Sequence, residues 1–310
     1  MATSGSTNFS MTRDDLIKAA LRLIYVAENG ETPTAQQIVD GAECLNLMVK
    51  SWGPDLHQWT MTPATLFCVG EQAEYNLPGA YATSDYDATT LSSAGVATDT
   101  TLTVASITGI TNGDYIGILL DSNAMHWTTV NGVPSGNSVV IADALPSAAA
   151  IGRAVYSFTT KIGRPLKITN VCTQQLSGTE IPHAYNGIPQ SRSDYMRMPN
   201  KTTLGTPIQS YYSPQLTTGK LYLWPTPKDS TLRITFDYER TLEDFDDIAN
   251  TPDFPQEWYN VIKWNLAVEL APDYNITPSN FLLRKAEELK NEMLSFDRDP
   301  GSLYFQPRLY

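Results

Sequence analysis

Near the N-terminus, apolar positions recur at three- and four-residue intervals. Thr12 with Asp15 three positions on marks a helix start. Leu16, Ala20, Leu23 and Ala27 follow along one face until Asn29-Gly30 stops it. Thr34 with Gln37 is a capping-box pattern. Ile38, Ala42, Leu45 and Val49 carry a second helix to Trp52, and Gly53-Pro54 ends it. The short link between them predicts an antiparallel hairpin.

The period then changes from helical to two. "TLFCV" and "YNLPG" are short apolar-alternating runs bounded by Gly and Pro, which read as strands. From Ala88 to Phe158 there is no Lys and no Glu, and the only charges are Asp99, Asp114, Asp121, Asp143 and Arg153. Within that span "TTLTV", "DYIGILL", "HWTTV", "SVVIA" and "AVYSF" read as further strands. Asn131-Gly132 and Ser135-Gly136-Asn137 mark turns. Beyond it "RPLKITNV", "PIQSYYS" and "GKLYLWP" continue the strand pattern. In "TLRITFDYE", Leu232, Ile234, Phe236 and Tyr238 alternate with Arg233, Thr235, Asp237 and Glu239, which predicts an antiparallel strand with one wet face.

The helical period returns near Phe254. Asp253 is placed to cap a helix with Pro255 near its first turn, and Pro272 stops it. Trp258, Val261, Ile262, Leu266 and Leu270 form one apolar stripe; Trp264, Ala267, Val268 and Ala271 form a second. A helix apolar nearly all round has to be covered on more than one side. Its own bundle would cover one face, and a strand layer or a neighbouring subunit the other. A last helix starts at Thr277-Pro278, with Leu282, Ala286, Leu289, Met293 and Phe296 as a heptad-like seam, and breaks at Pro300-Gly301.

These elements predict an α+β protein: a helical bundle with antiparallel strands as the core, and an inserted all-β barrel or sandwich. The expected division is 1–87 (helix pair and first strands), 88–160 (the β domain), 161–299 (strands and second helix pair) and 300–310 (a C-terminal arm).

Composition narrows the function. The net charge is −12 and hydrophobic residues make up 42%, so the chain can bury a core but repels phosphate and should not grip nucleic acid. It could still surround DNA without gripping it. No run of about 18 apolar residues predicts a membrane span. "MATSGSTNFS" has neither a basic n-region nor an apolar h-region, so no secretory signal is expected. Cys44, Cys68 and Cys172 are isolated, which argues against a disulfide framework.

Signatures of chemistry are sparse. His57, His126 and His183 have no partner at metal spacing, and there is no G-x-S-x-G, Walker loop or G-x-G-x-x-G. "LEDFDD" gathers Glu243, Asp244, Asp246 and Asp247, which could serve a calcium site or a glycosidase-type acid pair but reads first as a solvated loop. Trp127 and Tyr115 would be the place for a sugar-stacking surface, with ordinary core aromatics as the simpler reading. The reading is therefore of a non-enzyme with no cofactor and no metal. The tail "SLYFQPRLY" carries Leu303, Tyr304, Phe305, Arg308 and Tyr310, residue types that anchor protein interfaces.

Several stretches together resemble the head-to-tail adaptor proteins (neck, or tail accessory, proteins) of tailed bacteriophages, short-tailed ones above all. "TAQQIVDGAECLNLMVKSW" is similar to that family's second helix, and "GEQAEYNLPG" to its following hairpin. "TPIQSYYSP" leading to "GKLYLWPTP" resembles its paired strands, "FPQEWYNVIKWNLAVELAPDYN" its penultimate helix, and "AEELKNEM" lies in the helix expected next. The likeness spans roughly 10–80 and 160–298; the region 88–158 departs from the smallest members.

The resemblance implies a structural virion protein at the head–tail interface, assembled in the host cytoplasm. It implies a homo-oligomeric ring of twelve copies beneath the portal protein, extending the DNA channel and helping to retain the genome. A next tail or nozzle protein would bind below. Genomic DNA would pass through without sequence-specific contact, and no membrane is involved. Leu303, Tyr304, Phe305, Arg308 and Tyr310 become the expected portal dock, and Trp258, Val261, Ile262, Trp264, Leu266 and Leu270 the core or inter-subunit helix. The alternative is a virion-associated glycan-binding or peptidoglycan-degrading tail protein.

Overall fold

Two side-chain caps organise the start of the chain in the computed structural model, which describes residues 5–28, 30–53, 59–176, 178–183 and 187–296. Among these residues there are five α-helices: α1 (Arg13–Leu23), α2 (Ala35–Trp52), α3 (Arg192–Arg197), α4 (Trp258–Leu270) and α5 (Asn280–Phe296). Thr12 caps α1 reciprocally with Asp15, and Thr34 caps α2 reciprocally with Gln37.

The first helix ends at Leu23, well before Asn29-Gly30. Tyr25 takes a left-handed φ of 59°. Its N–H donates to Arg22 O (3.2 Å) and the Val26 N–H to Leu21 O (3.1 Å), the bond pair of a Schellman stop. That position favours glycine, and Tyr25 is 93% exposed with little packing to lose. Tyr25→Gly should raise thermal stability by about 1 kcal/mol by relieving the left-handed penalty.

The chain divides into two compact units, Met1–Thr60 with Leu242–Tyr310, and Met61–Thr241. In the first, α1, α2 and α5 pack on α4 around a core that includes Leu16, Ile17, Leu45, Trp52 and Leu266. A Cβ on Gly41 of α2 would lie 2.5 Å from Ile17 Cγ2 of α1, so glycine lets these helices approach. Asp253 does not cap α4; its carboxylate accepts the Glu243 N–H at 3.2 Å, and α4 begins without a side-chain cap.

Among the described residues, the second unit holds sixteen strands. They are β1 (Met61–Phe67), β2 (Glu74–Leu77), β3 (Ala82–Thr83), β4 (Asp87–Thr90), β5 (Thr101–Thr103), β6 (Tyr115–Leu119), β7 (Met125–Thr129) and β8 (Ser138–Val140). Then follow β9 (Ala154–Phe158), β10 (Lys167–Gln175), β11 (Glu180–Pro182), β12 (Leu204–Gly205), β13 (Gln209–Pro214), β14 (Gly219–Trp224), β15 (Thr226–Pro227) and β16 (Leu232–Glu239). A five-stranded antiparallel sheet runs β11-β10-β16-β1-β3. A three-stranded sheet, β13-β14-β2, shares its core: Leu66, Ile234 and Phe236 from one meet Tyr75, Leu221 and Leu223 from the other. Residues 87–158 add the sheet β4-β9-β6-β7 and the pair β5-β8 around Leu102, Ile116, Ile118, Val139 and Val155. Gly136 and Asn137 both have positive φ and join Ser135 to Ser138 in a two-residue turn.

This architecture overturns the expected fold class. Strand accounts for 29% of the chain and helix for 24%, and five sheets form the larger unit. The protein is therefore not a helical bundle core with an inserted β domain. The reason is long-range pairing. Strands from either side of 87–158 pair with one another, β1 with β16 over seven positions from Met61↔Glu239 to Phe67↔Arg233, and build a two-sheet core of their own. The expected wet face of β16 is also mostly covered. Arg233, Thr235 and Asp237 are half-buried and Glu239 is buried, because β16 is a central strand between β10 and β1.

Residues 87–158 are bonded to that core through an aromatic seam. Phe67 of β1 lies 4.9 Å from Tyr156 and 5.2 Å from Trp127, ring centre to ring centre. Trp127 stacks on Tyr81 at 4.3 Å, 7° from parallel. Gly117, paired with Trp127 across β6 and β7, leaves room for that indole; a Cβ there would sit 2.7 Å from it. Arg233 donates to the Tyr86 hydroxyl at 3.0 Å, with its guanidinium 5.2 Å from the Tyr156 ring.

Candidate functional site

Helix α4 is the best-covered element of the helical unit. Trp258, Val261, Ile262, Leu266 and Leu270 are each no more than 2% exposed. Trp264 is half-buried and meets Phe281 edge-on at 5.9 Å. The Asn265 amide donates to Val261 O (2.9 Å) and to Ala286 O (3.2 Å), tying α4 to α5. The cover comes from α1, α2 and α5 of the same chain.

The acidic loop at 242–247 is held by α2. Leu242 and Phe245 are buried in the helical core. Asn46 acts as a backbone mimic: its Oδ1 accepts the Phe245 N–H (2.9 Å) and its Nδ2 donates to Phe245 O (3.3 Å). Lys50 donates to Leu242 O and pairs with Asp244 at 2.6 Å. Asp246 accepts from Asn250 Nδ2 and Asp247 from the Ala249 N–H. Glu243, Asp244, Asp246 and Asp253 line a depression of about 450 Å³. Among the described residues, no group of three or more His, Cys, Asp or Glu is placed to hold a metal ion.

A larger groove, about 620 Å³, lies between α2 and the turn that follows α4. Asp40, Glu43, Glu269 and Asp273 ring it, with Cys44 and Leu47 among its lining. Burial first, then the charges of Glu269, Asp273 and Glu43, push the Cys44 thiol up to about 11, so it is not a nucleophile at neutral pH. Leu47 is 67% exposed. Asp40, Glu43 and Leu47 sit three and four residues apart on α2, a helical spacing that was readable in the sequence. The outer face of α5 has the opposite character. Asn280, Phe281, Arg284, Lys285 and Glu288 line a shallow depression of about 330 Å³, and Phe281 is 69% exposed.

In the β unit, Tyr211 and Tyr222 pair across β13 and β14 with rings 5.6 Å apart, and Tyr195 of α3 stacks on Tyr211 and lies tilted against Tyr222. They line a groove of about 500 Å³ with Arg192, Lys201 and Glu74. Trp127 and Tyr115, read as ordinary core aromatics or else as a sugar-stacking surface, lie in the seam. Lys161 sits between the Tyr81 and Tyr115 rings at 4.0 and 4.7 Å and donates to Gly79 O.

His126 Nε2 meets Asp143 O at 3.2 Å. His183 is buried; the Thr173 hydroxyl donates to Pro207 O and so accepts from its Nε2–H at 2.9 Å. His183 Nδ1 is buried without a hydrogen-bond partner among the described residues. Burial drives the Cys68 thiol up to about 12. His57 and the tail residues Leu303, Tyr304, Phe305, Arg308 and Tyr310 lie outside the described residues. No protein-family model matches the chain, and no curated protein matches it.

Proposed function

We propose that the chain is a structural subunit of a tailed-phage head-to-tail connector, a ring beneath the portal that extends the DNA channel and presents a platform to the next tail protein. The observation that carries this is convergence. The stretches resembling that family's helices come from both ends of the chain, yet α2, α4 and α5 share one core. Likeness by chance in separated stretches has no reason to meet in one packed unit. The reading rests on that helical unit, because the larger unit is a β-sheet body. The charge of −12 fits a wall along which DNA slides without sticking.

The C-terminal arm is the proposed portal dock. Its aromatics each stabilise by about 1.5–3 kcal/mol when fully buried, opposed by about 1–2 kcal/mol of backbone entropy for each residue ordered. One arm is a weak contact, and a ring of arms is strong through avidity. The full chain should therefore sediment with portal-bearing capsids and keep their DNA inside. A chain truncated after Pro300 should melt at the same temperature but stay off the capsids and let DNA leak. Capsids that take up neither protein would contradict the connector reading. Normal uptake of the truncated chain would exclude the arm as the dock.

The alternative of a glycan-binding tail protein has one observation in its favour, the groove of Tyr195, Tyr211 and Tyr222, since sugar rings stack on such faces. Saturable oligosaccharide binding lost in Tyr211→Ala would support it.

A further inference from the structure

We infer that the acidic groove beside α2 and the basic, aromatic face of α5 are the two halves of a contact between copies of this chain. The inference rests on the ring reading and names the surfaces that would close the ring.

Each surface lacks what the other presents. The groove has four carboxylates around an exposed leucine: Asp40, Glu43, Glu269 and Asp273 about Leu47. Its occupant should be a large apolar side chain flanked by cations. On α5, Phe281 projects with Arg284 and Lys285 one turn away. Arg284 makes only a long, exposed ion pair with Glu288 at 3.7 Å, and Lys285 makes none among the described residues. Such a surface pair gains little on its own, so both cations are free to meet stronger partners. Seating Phe281 over Leu47 would remove both apolar groups from water and bring the two cations within reach of the carboxylates.

The ring reading sets the type of assembly: each copy offers its groove to one neighbour and its helix face to another. Such a head-to-tail contact forms rings when its rotation closes and filaments when it does not; it does not stop at a two-fold dimer. Complementary charge makes the association dependent on salt.

Sedimentation velocity on the full-length chain tests this. At about 100 µM protein, where a contact of modest affinity is populated, wild type at low salt should form species larger than dimers. These should shrink in about 0.5 M NaCl, where charges are screened within a few ångströms. The double reversal Glu43→Lys with Glu269→Lys should weaken association at least about tenfold. Adding Arg284→Glu and Lys285→Glu to that protein should restore it, which a folding defect could not do. A wild type that stays monomeric at low salt, or stops at a dimer, overturns the inference, as does a double reversal that associates like wild type. If larger species form and respond to the charge reversals but remain open filaments under the microscope, the contact stands and the ring reading falls.

Discussion

Phe67→Ala is expected to destabilise the β unit by about 3–5 kcal/mol, the range for removing a fully buried aromatic ring. Phe67 is 1% exposed at the end of β1. Its ring touches Tyr86 at 5.3 Å, Trp127 at 5.2 Å, Tyr156 at 4.9 Å and Phe158 at 6.2 Å. Three of those partners belong to strands or loops of 87–158 that also pack on one another, so the cavity cannot collapse without moving several rings. Each aromatic pair adds about 0.5–1.5 kcal/mol beyond area burial. Urea unfolding followed by near-ultraviolet dichroism reads the loss directly. A shift below about 1 kcal/mol, well under the expected range, would mean that the seam is not structural and that 87–158 behaves as a free insertion.

Acid should loosen the same unit through His183. Burial lowers its pKa from 6.5 to about 4, so the folded protein refuses a proton that the unfolded chain accepts. The stability held by the neutral ring is fully present above pH 6.5. It is lost as pH falls from 6.5 towards 4, and changes no further below that. At about 1.4 kcal/mol for each pH unit, the whole loss is about 3.5 kcal/mol at most. Hydrogen exchange of the β10 and β16 amides at pH 7 and pH 4.5 should show it. His183→Gln should flatten the pH dependence by most of that amount, which separates His183 from the carboxylates that also titrate there. An unchanged profile in His183→Gln would show that the imidazole is not protected from protons.

What could be read from the sequence was local. The capping boxes at Thr12 and Thr34 involve residues three apart, and both form as the spacing implies. The alternation of Leu221 and Leu223 with Tyr222 and Trp224 places the leucines inside β14, because side-chain direction follows from the strand itself. Pairing was not readable. Nothing in "TLFCV" says that its strand lies against β16, so the strands were expected to share one core with a helical bundle when they build a sheet core of their own. Phe67 showed its period but not what faces it. Asp253 looked like a cap because the residue type and spacing suit one, and its hydrogen bond went to Glu243. Tyr25 hid a helix stop, since the left-handed conformation is normally announced by glycine or asparagine. For the acidic groove, half the signal lay in α2 at helical spacing, and the other half, Glu269 and Asp273, arrives only through the packing of α4 on α2.

Electron-microscope class averages of the full-length chain bound to portal-bearing capsids test the connector role most directly. The expected image is a closed ring of identical subunits around an open channel on the portal axis, with the α2 groove of each subunit against the α5 face of the next. Isolated single subunits on the capsid, or chains of subunits that never close around a channel, would contradict it.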